Sequence, residues 1–151
     1  MFRAVRAPLA HWLLWGLILA PGIWGIARLH PYEYAYFNAY AGGLRGTPSE
    51  FDQEYWCTSY REAMGYVNTV AEPGAIVFSG RSLYAAVPFA RPDLVLTNQP
   101  ADYPQASLLL YCARFREDQI WLRGQPVLEV GRAGAAFAQV YRLVGGPTEV
   151  P

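Results

Sequence analysis

Carboxylates are the side chains of this sequence that could most readily do chemistry. Four of them lie close together in the first half of the chain: Glu33, Asp52, Glu54 and Glu62. Such a cluster could bind a cation or the hydroxyl groups of a sugar. Surface acids more often belong only to a solvated loop or a helix start. We therefore expect a solvated loop and a helix cap here, with neither a metal nor a cofactor.

The cysteines offer a second kind of chemistry. Cys57 and Cys112 are the only two, and in an oxidising compartment they could form a disulfide. That bond would close a loop of about 55 residues, which by loop entropy stabilises a fold by about 4 kcal/mol. However, Cys112 lies in an apolar run where a free buried cysteine is common. Both alternatives stay open, because the sequence does not fix the Cβ geometry that a disulfide requires.

Several functional classes lack their residues in this sequence. Both histidines, His11 and His30, precede residue 31, which leaves the remainder without Ser–His or Cys–His pairs and without the usual zinc ligand sets. The run FSGRS at 78–82 follows an apolar segment but lacks the glycine spacing of a phosphate-binding loop. Net charge is zero, which argues against a nucleic-acid partner.

These side chains must be positioned by a chain that begins with an apolar segment. Apolar residues make up 53% of the sequence, and none of the 21 residues between Arg6 and Arg28 is charged. As a helix, that stretch would cover roughly 30 Å, the thickness of a bilayer's hydrocarbon core. We expect a transmembrane helix within 1–29, the alternatives being a cleaved signal peptide and a buried soluble helix.

Flanking charges set the expected orientation of that helix. Arg3 and Arg6 precede it, so the positive-inside rule places the N-terminus in the cytoplasm. The protein would then be a single-pass protein of the cell membrane, with the remaining residues on the extracytoplasmic side.

An aromatic cluster follows the apolar segment. The run HPYEYAYFNAYAGG at 30–43 holds five rings in nine positions. Tyrosine concentrates at membrane–water interfaces, where its ring is buried and its hydroxyl stays wet. Pro31 suits a helix start and Gly42 a helix end, so we expect a short helix over 31–41. One stripe would carry Tyr32, Tyr36 and Tyr40. It would lie on the outer leaflet or against the next domain, the alternative being that the rings belong to that domain's core.

The remaining residues predict a small α/β domain with a mixed sheet. A capping box formed by Ser59 and Glu62 opens a helix that Pro73 and Gly74 end. Short apolar runs at 75–80, 93–97 and 107–115 predict strands, the last one central because it is apolar on both faces. A hairpin around GRAG follows. We expect this domain over 50–146, after an interfacial segment at 30–49 and before a tail at 147–151.

One string of motifs resembles a known family. It comprises His30, Pro31 and Tyr32; Tyr36, Phe37 and Asn38; Gly42 and Gly43; Tyr55 and Trp56; and Tyr60, Arg61, Glu62 and Ala63. The string resembles the C-terminal part of bacterial family 39 glycosyltransferases. These multi-span enzymes of GT-C architecture are related to the dolichyl-phosphate-mannose protein mannosyltransferases. The likeness runs from the apolar helix to the final hairpin.

Two positions depart from that family's pattern. Glu54 stands where the family usually has aspartate, and Cys57 where it usually has glycine. If the glycine adopts a positive φ, cysteine in its place is strained. The family's catalytic carboxylates lie in an early loop among many spans, so the resemblance assigns no catalytic residue to this chain. It implies a domain that is inactive alone.

Three functions follow as hypotheses. The first is an accessory domain, or a fragment, of a polyprenyl-phosphate-sugar-dependent glycosyltransferase, packed on a multi-span partner. The second is a membrane-anchored module that binds a glycan or a peptide near Tyr55 and Trp56. The third is a single-span structural subunit of a larger membrane complex. We further expect Trp56 to be buried, fastening the domain to the aromatic segment, with Tyr60 in a milder version of that role.

Overall fold

The computed structural model describes residues 6–38, 40, 42–46, 52, 54–80, 82–115 and 124–143. The chain divides into two compact units between residues 47 and 48. The predicted tail at 147–151 lies outside the described residues.

The first unit is built on one long helix, α1, which spans Arg6–Leu29 and contains Pro21. Within it, Leu9–Leu29 is long and apolar enough to cross a membrane. Its large side chains are exposed: Trp12 is 75% and Leu17 74% accessible. A helix with apolar residues on every side, most of them exposed, matches the predicted N-terminal span.

The predicted helix over 31–41 is wrong. Glu33–Ala35 forms one short 3-10 turn, and Tyr36 after it is extended. Tyr32 is buried while Tyr40 is fully exposed, so no common stripe exists. Aromatic residues are poor helix formers, and an isolated helix of this length is marginal, so tertiary contacts decide the path. One such contact places the Tyr36 ring so close to Gly25 of α1 that a methyl group there would overlap it.

The second unit contains the α/β fold. The short helix α2, Gly43–Gly46, still belongs to the first unit. The second unit then contains, in chain order, α3 Tyr60–Val70, β1 Ile76–Ser79, α4 Leu83–Ala86, β2 Val95–Thr97, β3 Leu108–Cys112, β4 Gln125–Arg132 and β5 Ala135–Arg142. Short 3-10 turns lie at Val87–Phe89, Pro100–Gln105 and Ala113–Phe115. The helices and strands predicted after residue 58 are therefore present, and the fold class is confirmed.

The five strands form one mixed sheet in the order β2-β1-β3-β5-β4. β1 is parallel to both β2 and β3, whereas β5 is antiparallel to β3 and β4. All five residues of β3 are buried, which confirms its predicted central place. The parallel part therefore has its strand ends on one edge, where β1 and β3 finish side by side.

Each face of this sheet carries its own apolar layer. The α3 face that packs inward is formed by Tyr60, Ala63, Met64 and Val67, all buried. On the opposite face, Phe78, Leu109 and Tyr141 pack with Tyr103, which lies in the 3-10 turn Pro100–Gln105. The Phe78 and Tyr103 rings meet edge to face at 5.0 Å. Burial on both faces explains why the central strand is apolar throughout.

A two-residue turn closes the hairpin of β4 and β5. Ala133 and Gly134 both have positive φ, at 50° and 80°. Such a pair gives the turn the backbone twist that a tight hairpin needs, and the predicted GRAG turn is present. The β4 strand also shifts register twice against β5, between Pro126 and Leu128 and again between Val130 and Gly131.

Candidate functional site

The strand order identifies one edge of the sheet as the place to look for a site. From β1 the chain moves to β2 on one side, and it then returns across β1 to β3 on the other. In open α/β sheets, ligands bind outside the carboxyl ends of the strands where the order reverses in this way. Here that point lies beyond the ends of β1 and β3, at Ser79 and Cys112.

A disulfide occupies this point. Cys57 and Cys112 are joined, with their Cα atoms 5.9 Å apart, and both residues are buried. Cys112 ends β3, while Cys57 lies in the segment that leads into α3. The Ser82 hydroxyl, which follows β1, lies 3.0 Å from the Cys57 sulfur. Of the two alternatives left open by the sequence, the structure has the crosslink, and the crosslink ties residues 54–59 to the sheet.

Beside the disulfide lies a buried carboxylate, that of Glu54. It is wholly inaccessible, and its Oε1 accepts hydrogen bonds from the Thr58 backbone N–H at 2.7 Å and the Thr58 hydroxyl at 3.1 Å. Its Oε2 accepts one from the Ser59 hydroxyl at 3.1 Å. The same oxygen lies 3.2 Å from the Cys112 sulfur. These bonds offset the cost of removing the carboxyl group from water.

This arrangement corrects two sequence predictions. Glu54 does not belong to a solvated loop, because its side chain is wholly buried. The predicted capping box is also wrong: Ser59 has helical dihedrals and makes no capping bond. Its hydroxyl donates to Glu54 instead, and Glu62 forms an exposed ion pair with Arg132 at 2.7 Å. The carboxylate at 54 thus takes over the role of ordering the start of α3.

The backbone at Cys57 lies in the left-handed region, with φ at +51°. This is the conformation that favours glycine, the residue expected here from the family pattern. Cysteine in that conformation costs of order 1–3 kcal/mol. The disulfide offsets that cost, so the predicted strain and the crosslink belong to the same residue.

Between the two buried residues, Tyr55 and Trp56 face solvent. Tyr55 is 45% and Trp56 61% exposed, and their rings meet edge to face with centroids 4.9 Å apart. The guanidinium carbon of Arg114 lies 3.7 Å from the centroid of the Tyr55 ring, a cation–π contact. We call Tyr55, Trp56 and Arg114 the aromatic patch. The predicted burial of Trp56 is wrong, because Glu54 and Cys57 take the inward positions.

Glu54, Cys57 and Cys112 also have the residue types of a metal site. Their ligand atoms all lie within 4.8 Å of one another. Both sulfur atoms are committed to the disulfide, however, and a metal would need them as thiolates. In the oxidised protein this trio therefore offers only a carboxylate that already accepts three hydrogen bonds.

The remaining motif residues lie in two places. His30 and Glu33 form an exposed pair at 2.5 Å, the His30–Pro31 bond is cis, and Asn38 accepts a hydrogen bond from the Gly43 N–H. The pKa of Glu33 is lowered, first by a backbone hydrogen bond within its own residue and then by His30. These residues belong to the first unit, as do Tyr32, Tyr36 and Phe37.

Tyr60 and Arg61 belong instead to α3 in the second unit. The Tyr60 hydroxyl is buried and donates to the Leu110 carbonyl at 3.2 Å, which fixes α3 on β3. Arg61 is exposed. Sequence reasoning missed Arg114, and the signal for it was its position two residues after Cys112 at the end of a central strand.

No protein-family model, no curated protein and no solved structure matches this chain. The likeness to family 39 glycosyltransferases rests on the motif string and stays a prediction.

Proposed function

We propose that this protein is a single-pass membrane protein whose α/β domain lies on the extracytoplasmic side of the cell membrane. There it serves as a non-catalytic accessory domain of a multi-span glycosyltransferase similar to those of family 39. The observation that carries the location is the buried disulfide between Cys57 and Cys112. Disulfides persist in oxidising compartments and are rare in the cytosol.

Two further observations support this placement. The apolar stretch Leu9–Leu29 precedes the disulfide-bonded domain and can anchor it. The residues before that stretch include Arg3 and Arg6, which favour a cytoplasmic N-terminus. The partner is proposed from the motif string, because the GT-C enzymes that it resembles place similar residues after their last span.

Intact cells test the location. With the full chain, a membrane-impermeant maleimide should label neither cysteine before reduction and both after treatment with an external reductant and a mild denaturant. The protein should also stay in the membrane during alkaline carbonate washing. Free thiols in freshly lysed, alkylated cells would contradict the proposal, as would a shortened soluble product.

The partner needs its own experiment. Crosslinking in the native membrane, followed by purification in mild detergent, should recover a protein with many spans and carboxylates in an early extracytoplasmic loop. A chain with α1 replaced by an unrelated apolar helix is the matched control, since it keeps the anchor but not the side chains of α1. Recovery of only single-span or soluble proteins would contradict the accessory role.

The aromatic patch favours a second candidate function, a membrane-anchored binding module. Large aromatic side chains held at the surface are typical of recognition sites. This function does not exclude the first, because an accessory domain can bind the substrate of its enzyme.

A further inference from the structure

In the segment 54–57, a polar residue is buried and two large aromatic residues are exposed, the opposite of the usual arrangement. The charged residue Glu54 and the crosslinked Cys57 are wholly buried, while the two aromatic residues between them face solvent. Burying a carboxylate requires dedicated hydrogen bonds, and an exposed aromatic ring forgoes the burial of 150–250 Å² that such rings usually obtain. The buried residues on either side therefore hold the two rings at the surface.

The rings are also held firmly in place. Residue 57 is tied to β3 by the disulfide, and residue 54 is tied to the start of α3 by Thr58 and Ser59. Arg114 covers one face of the Tyr55 ring, and the edge-to-face contact orients Trp56 against Tyr55. Fixed rings lose little conformational entropy when a ligand binds, which favours affinity.

From this geometry we propose that the aromatic patch is a carbohydrate-binding site, in which a pyranose ring stacks on the indole of Trp56. The C–H face of a pyranose is apolar and its hydrogens carry partial positive charge, so it complements the negative face of an aromatic ring. The hydroxyl groups around the sugar then meet polar side chains. The inference deepens the proposed function, since it names what the extracytoplasmic domain binds.

The sequence neighbours of Tyr55 and Trp56 favour a sugar over a lipid surface. Among the described residues of 52–62, every exposed side chain other than the two rings is polar or charged: Asp52, Thr58, Arg61 and Glu62. Charges of both signs suit the hydroxyls of a glycan. A segment that enters the acyl region of a bilayer would carry aliphatic residues beside its rings and basic residues alone on its polar side.

Binding is measured on the full chain in nanodiscs, because many mild detergents carry sugar headgroups that would compete. The probes are oligosaccharides of mannose, glucose, galactose and N-acetylglucosamine, followed by saturation-transfer NMR. We expect at least one to bind saturably, with affinity at least tenfold lower in Trp56→Ala and partly kept in Trp56→Phe. Tyr84→Ala is the matched control, because Tyr84 is an equally exposed ring of the same domain outside the patch.

A chain with Trp56 as its only tryptophan provides a second measurement. Its four other tryptophans, at 12, 15, 24 and 121, are replaced by phenylalanine. The bound oligosaccharide should change Trp56 emission, and brominated lipids in the nanodisc should leave it unquenched. Quenching by the lipids would overturn the proposal in favour of a membrane-contacting patch.

Two other results would also overturn it: no binding of any probe to a chain with an intact disulfide, or equal losses in Trp56→Ala and Tyr84→Ala. Neither would affect the thiol-labelling experiment above, so the failure of the sugar site and the failure of the proposed location are distinguishable.

Discussion

Glu54 is the residue on which most of the site depends. Its carboxylate accepts hydrogen bonds from Thr58 and Ser59 and lies against the Cys112 sulfur. Hydrogen bonds to a charged group contribute more to stability than those between neutral groups, and a buried donor left unpaired is costly. The side chain thus links the start of α3, the disulfide and the segment that presents Tyr55 and Trp56.

Glu54→Gln tests the value of the two acceptor oxygens. The amide keeps the shape but offers one acceptor oxygen instead of two, so a donor from Thr58 or Ser59 is left unsatisfied. We expect unfolding to become about 1.5–3 kcal/mol easier, measured as a shift of the denaturation midpoint. Glu62→Gln is the control, because its exposed pair with Arg132 contributes at most about 1 kcal/mol. Equal effects of the two substitutions would contradict a special role for Glu54.

At the scale of secondary-structure elements, the disulfide is the tie between α3 and β3. Replacing both cysteines by serine should lower the stability by about 4 kcal/mol, as expected for the release of a loop of this length. The positive φ at residue 57 strains serine as much as cysteine, so that cost remains in the double serine variant. A companion variant, Cys57→Gly with Cys112→Ser, relieves that strain and should be about 1 kcal/mol more stable than the double serine variant.

Denaturant titration of the wild type and both variants measures this difference. If the variant with glycine is the less stable one, then the backbone at residue 57 is not in the left-handed region when the crosslink is absent.

A second set of contacts joins the end of α3 to the segment that precedes β2. Arg91 donates to the carbonyl groups of Asn68 and Ala71 at 2.6 and 3.1 Å, and its Nε pairs with Asp93 at 2.6 Å. Asp93 also accepts the Gly74 N–H at 3.3 Å. The guanidinium of Arg91, and then the Gly74 N–H, hold the pKa of Asp93 below its ordinary value of 3.8.

This shift predicts a pH dependence of stability. Because the folded-state pKa of Asp93 is lowered, its contribution is complete above pH 3.8 and is lost as the pH falls through the lower folded value. Asp93→Asn should therefore flatten the loss of stability below pH 4, measured by thermal unfolding from pH 2 to 6. Asp52→Asn, which changes an exposed carboxylate of the same domain, is the control. An unchanged acid limb in Asp93→Asn would contradict the prediction.

The regular elements of the α/β domain could be predicted because each has a local signal. Burial on one face of α3 leaves a helical period, and burial on both faces of β3 leaves an apolar run. The path of 31–41 could not, since its tyrosines contact other parts of the chain, as Tyr36 does with Gly25. The outward orientation of Trp56 was also unpredictable, because it depends on Glu54 and Cys57 finding partners more than two residues away. The sequence showed the residues of the site but not which of them are inside.

At the scale of the whole molecule, the two units differ in what they need from their surroundings. The apolar side chains of α1 lie exposed along its length, whereas the second unit has its own apolar layers on both faces of the sheet. A unit with its own core can fold by itself. The domain should then be independent of its anchor.

A chain that begins at residue 48 tests this independence. Exported to an oxidising compartment, it should be soluble, form the Cys57–Cys112 bond and unfold in a single cooperative thermal transition. The measurements are calorimetry and the mass of the alkylated protein with and without reduction. Aggregation, or a broad non-cooperative transition, would show that the domain needs the first unit to complete its core.

The irregular shape of β4 affects whether copies of this domain can pair through their sheet edges. Among the described strands β4 is the outermost one beside β5, and the outer backbone groups of such a strand can pair with another copy of the chain, the first step of fibril growth. Pro126 removes a donor from that strand, and the two register shifts bend it away from the flat shape that a second strand would need. The opposite edge, β2, has only three residues. Neither edge of the described sheet therefore offers a long, flat template, and copies of the domain can lie close together without their sheets joining.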